Sequence, residues 1–133
     1  MASDTDNLIA YQGQPGANSD MACRAVHPDM EPLPCPSFED VFAAVRDGEA
    51  RLAMIPIENS AAGRVADIHH LLPESELHII AEHFQPVHHH LIGIKGAKIE
   101  DLKIVSSHHQ ALSQCRETIR SLGLEPHVHA DTA

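Results

Sequence analysis

The sequence predicts an α/β protein with mainly parallel sheets, divided into two small lobes. Three observations carry this. β-rich runs alternate with helical patterns of about ten to fourteen residues, the rhythm of βαβ units. The strand-like runs stop abruptly on glycine-containing or polar loops, as they do at the carboxyl edge of a parallel sheet. The extended passage from Leu77 to Ile94 interrupts the alternation and is expected to carry the chain from one lobe to the other. The boundaries that follow are residues 8–80 for the first lobe and 81–133 for the second.

Leu8-Ile9-Ala10-Tyr11 reads as the first strand, followed by the loop Gln12-Gly13-Gln14-Pro15-Gly16. A helix is expected from about Ala17 to Val26, burying Met21, Ala22, Ala25 and Val26. Leu33-Pro34-Cys35-Pro36 is extended, and its prolines suit a sheet edge, where a missing N–H costs nothing. Ser37 then caps a helix whose apolar stripe is Phe38, Val41, Phe42 and Val45, with Asp40 placed to close a capping box. Arg51 to Ile57 reads as a buried strand, and Val65, Ile68 and Leu72 repeat at helical spacing after it.

Pro73 to Glu76 is a turn, and Leu77 to Phe84 and Pro86 to Ile94 are two extended runs broken at Gln85-Pro86. Lys95-Gly96 turns the chain into a strand from Leu102 to Ser106. One helix is expected from His109 to Leu122, with Leu112, Cys115, Ile119 and Leu122 on its apolar face and Gly123 as its stop. Glu125 to Ala130 is the last strand. Asp131-Thr132 carries an N-cap signal with no helix after it among the 133 residues. The second lobe is therefore expected to be incomplete, since a lobe of roughly 50 residues has little core.

Charge and cysteine usage narrow the function. A formal net charge of −10 opposes binding to nucleic-acid backbones or anionic membrane surfaces. No apolar run reaches the length of a membrane span. Cys23, Cys35 and Cys115 are odd in number and form no CxxC pair, which fits reduced thiols in the cytoplasm.

Three loops could carry chemistry. The first is Tyr11 to Ser19, where glycines let backbone N–H groups approach an anion; a tight turn capped by Asn18 or Ser19 is the plainer reading. The second is Glu58-Asn59-Ser60, expected where a strand ends and a helix begins. A cap needs one polar residue, and three stand here. The third runs from Ser106 to Cys115, with Ser106 or Ser107 as cap and Gln110 and Gln114 one helical turn apart. Three helix N-termini at strand ends describe a cleft suited to an acid with two carboxylates, since no P-loop or basic cluster is present. The twelve histidines invite a metal, above all His88-His89-His90 and His69-His70. On a strand His88 and His90 share a face and His89 does not, so a third ligand such as His108 or His109 is required. Zinc-type spacing is absent, and no metal is expected.

Ile9-Ala10-Tyr11-Gln12-Gly13 with Gly16-Ala17 and Ser19, the run Ile55 to Ser60 with Gly63 and Val65, and Ser107-His108 with Gln110-Ala111-Leu112 and Gln114-Cys115-Arg116 together resemble prephenate dehydratase. Asp131-Thr132-Ala133 fits the same pattern. The resemblance implies two α/β lobes of periplasmic-binding-protein-like type with the active site between them. It also implies conversion of prephenate to phenylpyruvate, water and carbon dioxide, a step of phenylalanine biosynthesis that requires no cofactor. Matched by position, Asn59, Ser107 and Gln114 are expected to be catalytic. Gln12, Gly13, Ala17, Ser19, Glu58, Ser60 and His108 are expected to bind substrate. The family's Thr-Arg-Phe motif and its C-terminal ACT domain do not occur in the 133 residues, and position 109, commonly proline, is histidine. This portion alone is therefore expected to be inactive and to form a homo-oligomer through uncovered strand edges. The competing reading is a non-catalytic two-lobed module holding an aromatic oxyacid or amino acid.

Overall fold

Leu8–Gln12 forms β1, and its burial explains the layers around it. Ile9, Ala10 and Tyr11 are all buried, so both faces of the strand are covered. Successive side chains point to opposite faces: Ala10 packs with Cys35, Val41, Ala44 and Ala50, whereas Ile9 and Tyr11 pack with Cys23. The covers are α2 (Phe38–Arg46) on the first face and α1 (Asn18–Val26) on the second. These observations come from a computed structural model that describes residues 4–129.

The sheet has the order β2-β1-β3, with β2 (Glu31–Cys35) and β3 (Leu52–Met54) both parallel to β1. The proline-bearing strand β2 lies at an edge, as its missing N–H groups require. Ser37 caps α2 as expected: its Oγ accepts from the Asp40 N–H at 3.1 Å and donates to Asp40 Oδ2 at 2.6 Å. In α1 the buried residues are Asp20, Ala22 and Cys23, so the expected apolar face is turned. Met21 and Ala25 are exposed and Val26 is half-buried.

The run after β3 departs from expectation. Only Leu52–Met54 pairs, because Pro56 cannot donate to a ladder. Glu58–Asn59 (β4) and Gly63–Arg64 (β5) then form an antiparallel hairpin, with Glu58 opposite Arg64 and Asn59 opposite Gly63. The turn uses Gly63 at φ 80°, a conformation that glycine adopts without a Cβ clash. Helix α3 (Ala66–Glu74) starts only after this hairpin, buries Ile68, and meets α2.

Residues 77–94, expected as two extended runs, form no hydrogen-bonded strand. Their large apolar side chains face outward, with Phe84 84% and Ile92 86% exposed. Beyond the turn at Lys95-Gly96, β6 (Ile104–His108) and β7 (Glu125–His129) pair in parallel. The expected single helix is two, α4 (His109–Gln114) and α5 (Arg116–Ser121), meeting at Cys115 with φ −100° and ψ 11°. Leu112, Ile119 and Leu124 form the buried cluster here, with Leu102, Val105 and Cys115 against it. Gly123 ends α5 at φ 66°, as its sequence position predicted. Ala130 and the Asp131-Thr132 cap signal lie outside the described residues.

The chain divides into two compact units. One runs through Asn59 and resumes over Gly63–Val87; the other comprises Ser60–Ala62 and the chain from His88 onward. Among the described residues no helix is long and apolar enough to cross a membrane.

Candidate functional site

The first unit presents its polar loops at one edge of its sheet. Because β1, β2 and β3 are parallel, the loop after Gln12, the cap at Ser37 and the run toward Glu58 all leave from the carboxyl edge, where α/β sheets carry ligands. The Gly13 N–H donates to the Cys35 carbonyl at 3.1 Å, which ties the start of the loop to the edge strand. Gly13 has φ 122° and Gly16 has φ 90°, so the tight path depends on both. Ala17 is the N-cap residue of α1 and makes no side-chain cap bond; its own N–H donates to the Gln14 carbonyl at 3.1 Å.

Asp20 holds the other end of this loop. Its carboxylate accepts from the Gly16 N–H at 2.7 Å and from Arg24 Nε at 3.0 Å, and the residue is only 3% exposed. The sequence reading missed this role. The available signal was an acidic residue in the first turn of a helix that follows a glycine loop. The buried carboxylate also acts on its neighbours. Burial and then Asp20 push the pKa of the Tyr11 hydroxyl up, and the same two causes push the Cys23 thiol up to about 11. Gln12, Gly13, Ala17 and Ser19 are thus gathered in one anchored loop, each half-buried.

Glu58 and Asn59 belong to the β4–β5 hairpin, and Ser60 follows in its turn. The expected placement at a helix N-terminus is therefore corrected: the helix begins at Ala66, with Val65 as its N-cap residue. Asn59 is half-buried, whereas Glu58 and Ser60 are exposed. The hairpin register sets Arg64 opposite Glu58, a cation that the sequence reading did not single out.

In the second unit, Ser107 and His108 end β6 and Gln114 ends α4. The expected serine cap is replaced by His108, whose Nδ1 accepts from the Gln110 N–H at 3.3 Å. An accepting Nδ1 carries no proton, so the neutral ring holds its proton on Nε2. Gln114 Oε1 lies 2.8 Å from His89 Nε2; an amide oxygen can only accept, so the imidazole donates. Nothing in the sequence pattern brought His89 to Gln114. Among the described residues no three His, Cys, Asp or Glu side chains gather as a metal-binding group, and the three cysteines are free thiols.

The family model described as prephenate dehydratase matches residues 9–133. A bifunctional N-acyl-homoserine lactone acylase/prephenate dehydratase of Komagataeibacter europaeus is 52% identical over 128 residues, covering 96% of this chain and 46% of the relative. Arogenate dehydratase/prephenate dehydratase 1, chloroplastic, of Arabidopsis thaliana is 42% identical over 130 residues, covering 98% of this chain and 33% of the relative. A solved structure titled "GqqA- a novel type of quorum quenching acylases" matches with TM-score 0.78 and 52% identity, covering 93% of this chain and 45% of that one. The chain thus spans less than half the length of these relatives.

Proposed function

This chain belongs to the prephenate dehydratase family, and we propose that it carries substrate-binding and catalytic residues for the decarboxylative dehydration of prephenate to phenylpyruvate. The observation that carries the reading is the family match across residues 9–133. In the reaction the ring carboxylate leaves as carbon dioxide, and its bonding electrons enter the ring. The ring hydroxyl departs from the opposite carbon and takes a proton to become water. The gain of an aromatic ring drives the step, so the protein's task is to orient the substrate and stabilise the leaving group.

Asn59, Ser107 and Gln114 are the proposed catalytic residues, supplying neutral donors to the hydroxyl and carboxylates. Gln12, Gly13, Ala17, Ser19, Glu58, Ser60 and His108 are proposed to bind substrate. The anchored glycine loop and the Nε2 proton of His108 support this, since both can offer N–H groups to an anion. We propose further that the two units are lobes of a periplasmic-binding-protein-like fold whose second lobe is completed by additional strands. The exposure of Leu91, Ile92 and Ile94 in the second unit supports that, and the outward apolar side chains of residues 77–94 also support self-association of this portion. The three free thiols fit a reducing compartment, for which we propose the cytoplasm; several Arabidopsis relatives are named chloroplastic.

The test is phenylpyruvate formation by the 133-residue chain and by the polypeptide of its complete reading frame. The 133 residues contain no Thr-Arg-Phe, so the short chain is expected to remain at background and a polypeptide containing that motif to turn over. In the active form, Asn59→Asp places a negative charge beside an anionic substrate and is expected to lower kcat/KM by about 10²-fold or more with little change in Tm. Tight binding without turnover in every form would favour the non-catalytic module. A second reading has its own support, because a curated relative and a solved structure, each 52% identical, carry acylase in their names. Hydrolysis of an N-acyl-homoserine lactone to fatty acid and amine, measured beside the dehydratase assay, tests that reading separately.

A further inference from the structure

We infer that Asp20 is a positioning residue for the proposed reaction, holding the loop from Gln12 to Ser19 in the shape that receives the substrate. This rests on the reading of that loop as a substrate-binding segment and extends it to a buried side chain that the motifs do not assign.

The loop is tied to its surroundings at both ends. At its start the Gly13 N–H donates to the Cys35 carbonyl on the edge strand at 3.1 Å, and further on the Gly16 N–H donates to Asp20 Oδ2 at 2.7 Å. The bond from the Ala17 N–H to the Gln14 carbonyl closes a turn within the loop itself. Gly13 at φ 122° and Gly16 at φ 90° lie in a region that glycine occupies about as readily as the ordinary one. The same glycines therefore leave the loop alternative paths, and the bond to Asp20 selects among them. The N-cap residue cannot do so, because Ala17 has no side-chain oxygen and makes no cap bond. Asp20, three residues on, reaches back as the acid of a capping box does, but one residue earlier, to Gly16.

Asp20 acts at one remove. At 3% exposed it is out of a ligand's reach, and a bare carboxylate would repel a substrate with two carboxylates. Its charge is shared instead between the Gly16 N–H and Arg24 Nε, which lies 3.0 Å away. Of these partners only Gly16 belongs to the loop; Arg24 lies one turn further along α1, with its side chain 62% exposed. The oxygen that accepts from Gly16 is therefore what positions the loop, and the ion pair is secondary. A hydrogen bond to an ionised group shifts a local equilibrium by about tenfold or more. Without it the loop spends most of its time in other shapes, and apparent affinity falls by the competent fraction.

The experiment measures prephenate turnover by the polypeptide of the complete reading frame, with Asp20→Ala, Asp20→Leu, Asp20→Asn, Arg24→Ala, Gly16→Ala and the double variant Gly16→Ala/Asp20→Ala. Circular dichroism fixes a temperature at which each is folded. Asp20→Ala and Asp20→Leu are expected to raise KM about tenfold while kcat changes far less. Lost folding alone would lower the active fraction, and with it kcat, and leave KM unmoved. Asp20→Asn keeps an acceptor for the Gly16 N–H and is expected to restore most of the loss, whereas Arg24→Ala should stay within about twofold of wild type. A Cβ at Gly16 meets nothing within 4 Å, so Gly16→Ala acts by straining the backbone at φ 90°. It is expected to raise KM as Asp20→Ala does, and the double variant no further, since coupled residues do not add. If wild type turns over prephenate while Asp20→Leu keeps KM within about twofold, the inference is wrong and the dehydratase reading stands. Should the Asp20 variants not fold, the same result for Gly16→Ala overturns it. So does a fall in kcat at constant KM, full additivity in the double variant, failure of Asp20→Asn to restore KM, or an Arg24→Ala effect as large as that of Asp20→Ala. If wild type gives no phenylpyruvate, the dehydratase reading falls and this inference falls with it.

Discussion

Asp20→Ala is predicted to destabilise the first unit by about 2–3 kcal/mol, and the structure says which of its two bonds matters. The Asp20 side chain is 5% exposed, while that of its partner Arg24 is 62% exposed. An ion pair one helical turn apart with a solvated partner contributes about 0.3–0.5 kcal/mol. The 2.7 Å bond from the Gly16 N–H is different: a hydrogen bond to a charged group is worth about 1.5–3 kcal/mol. A carboxylate in the first turn of α1 adds about 0.3–1 kcal/mol through the helix dipole. Arg24→Ala should therefore cost about 0.5 kcal/mol or less, and Asp20→Asn, which keeps an acceptor but loses the charge, should fall between. Urea denaturation of the three variants at neutral pH measures the order. Phenolate absorbance provides an independent check. Removing the Asp20 charge should lower the Tyr11 pKa, because that charge is the second cause of its rise; burial, the first cause, should keep it above the ordinary value. If Arg24→Ala costs as much as Asp20→Ala, or if the Tyr11 titration does not move, the loop is not anchored in this way.

Three further outcomes are expected. Cys23, with its thiol pushed up to about 11, contributes stability that is complete below the unfolded value of about 8.5 and is lost as pH rises through the folded one. Unfolding free energy should decline above pH about 8.5, and Cys23→Ala should flatten part of that decline; a pH-independent curve to pH about 10.5 would contradict it. A thiol reagent at pH about 8 should label half-exposed Cys115 well before buried Cys23 and Cys35. The 133-residue chain should associate as its concentration rises, through the outward apolar side chains of residues 77–94. Ile80→Lys/Ile92→Lys should reduce that association in sedimentation velocity, and a wild-type chain monomeric at every concentration would refute it.

The local grammar of this protein was legible in its sequence. Ser37 with Asp40, the glycines after Tyr11, the prolines of the edge strand and Gly123 each act through their own backbone or the next turn. They therefore do in the fold what their spacing predicted. The membership of Asn59, Ser107 and Gln114 in a recognisable pattern was legible for the same reason, since a motif is a local string. What surrounds them was not. Glu58-Asn59-Ser60 reads as a strand end before a helix, yet Pro56 breaks the ladder and Gly63 folds the run into a hairpin. His109 to Leu122 has no proline or glycine to announce the break at Cys115. The extended run from Leu77 to Ile94 has β-strand composition, but a strand exists only where another offers it hydrogen bonds, and none of the described strands pairs with it. Gly16 to Asp20 spans four residues and could have been guessed, whereas His89 to Gln114 spans 25. Contacts at that separation depend on the path of the intervening chain, which no periodicity encodes. Caps, turns and strand character are thus written locally, while strand pairing and long-range contacts such as His89 with Gln114 are decided by tertiary neighbours.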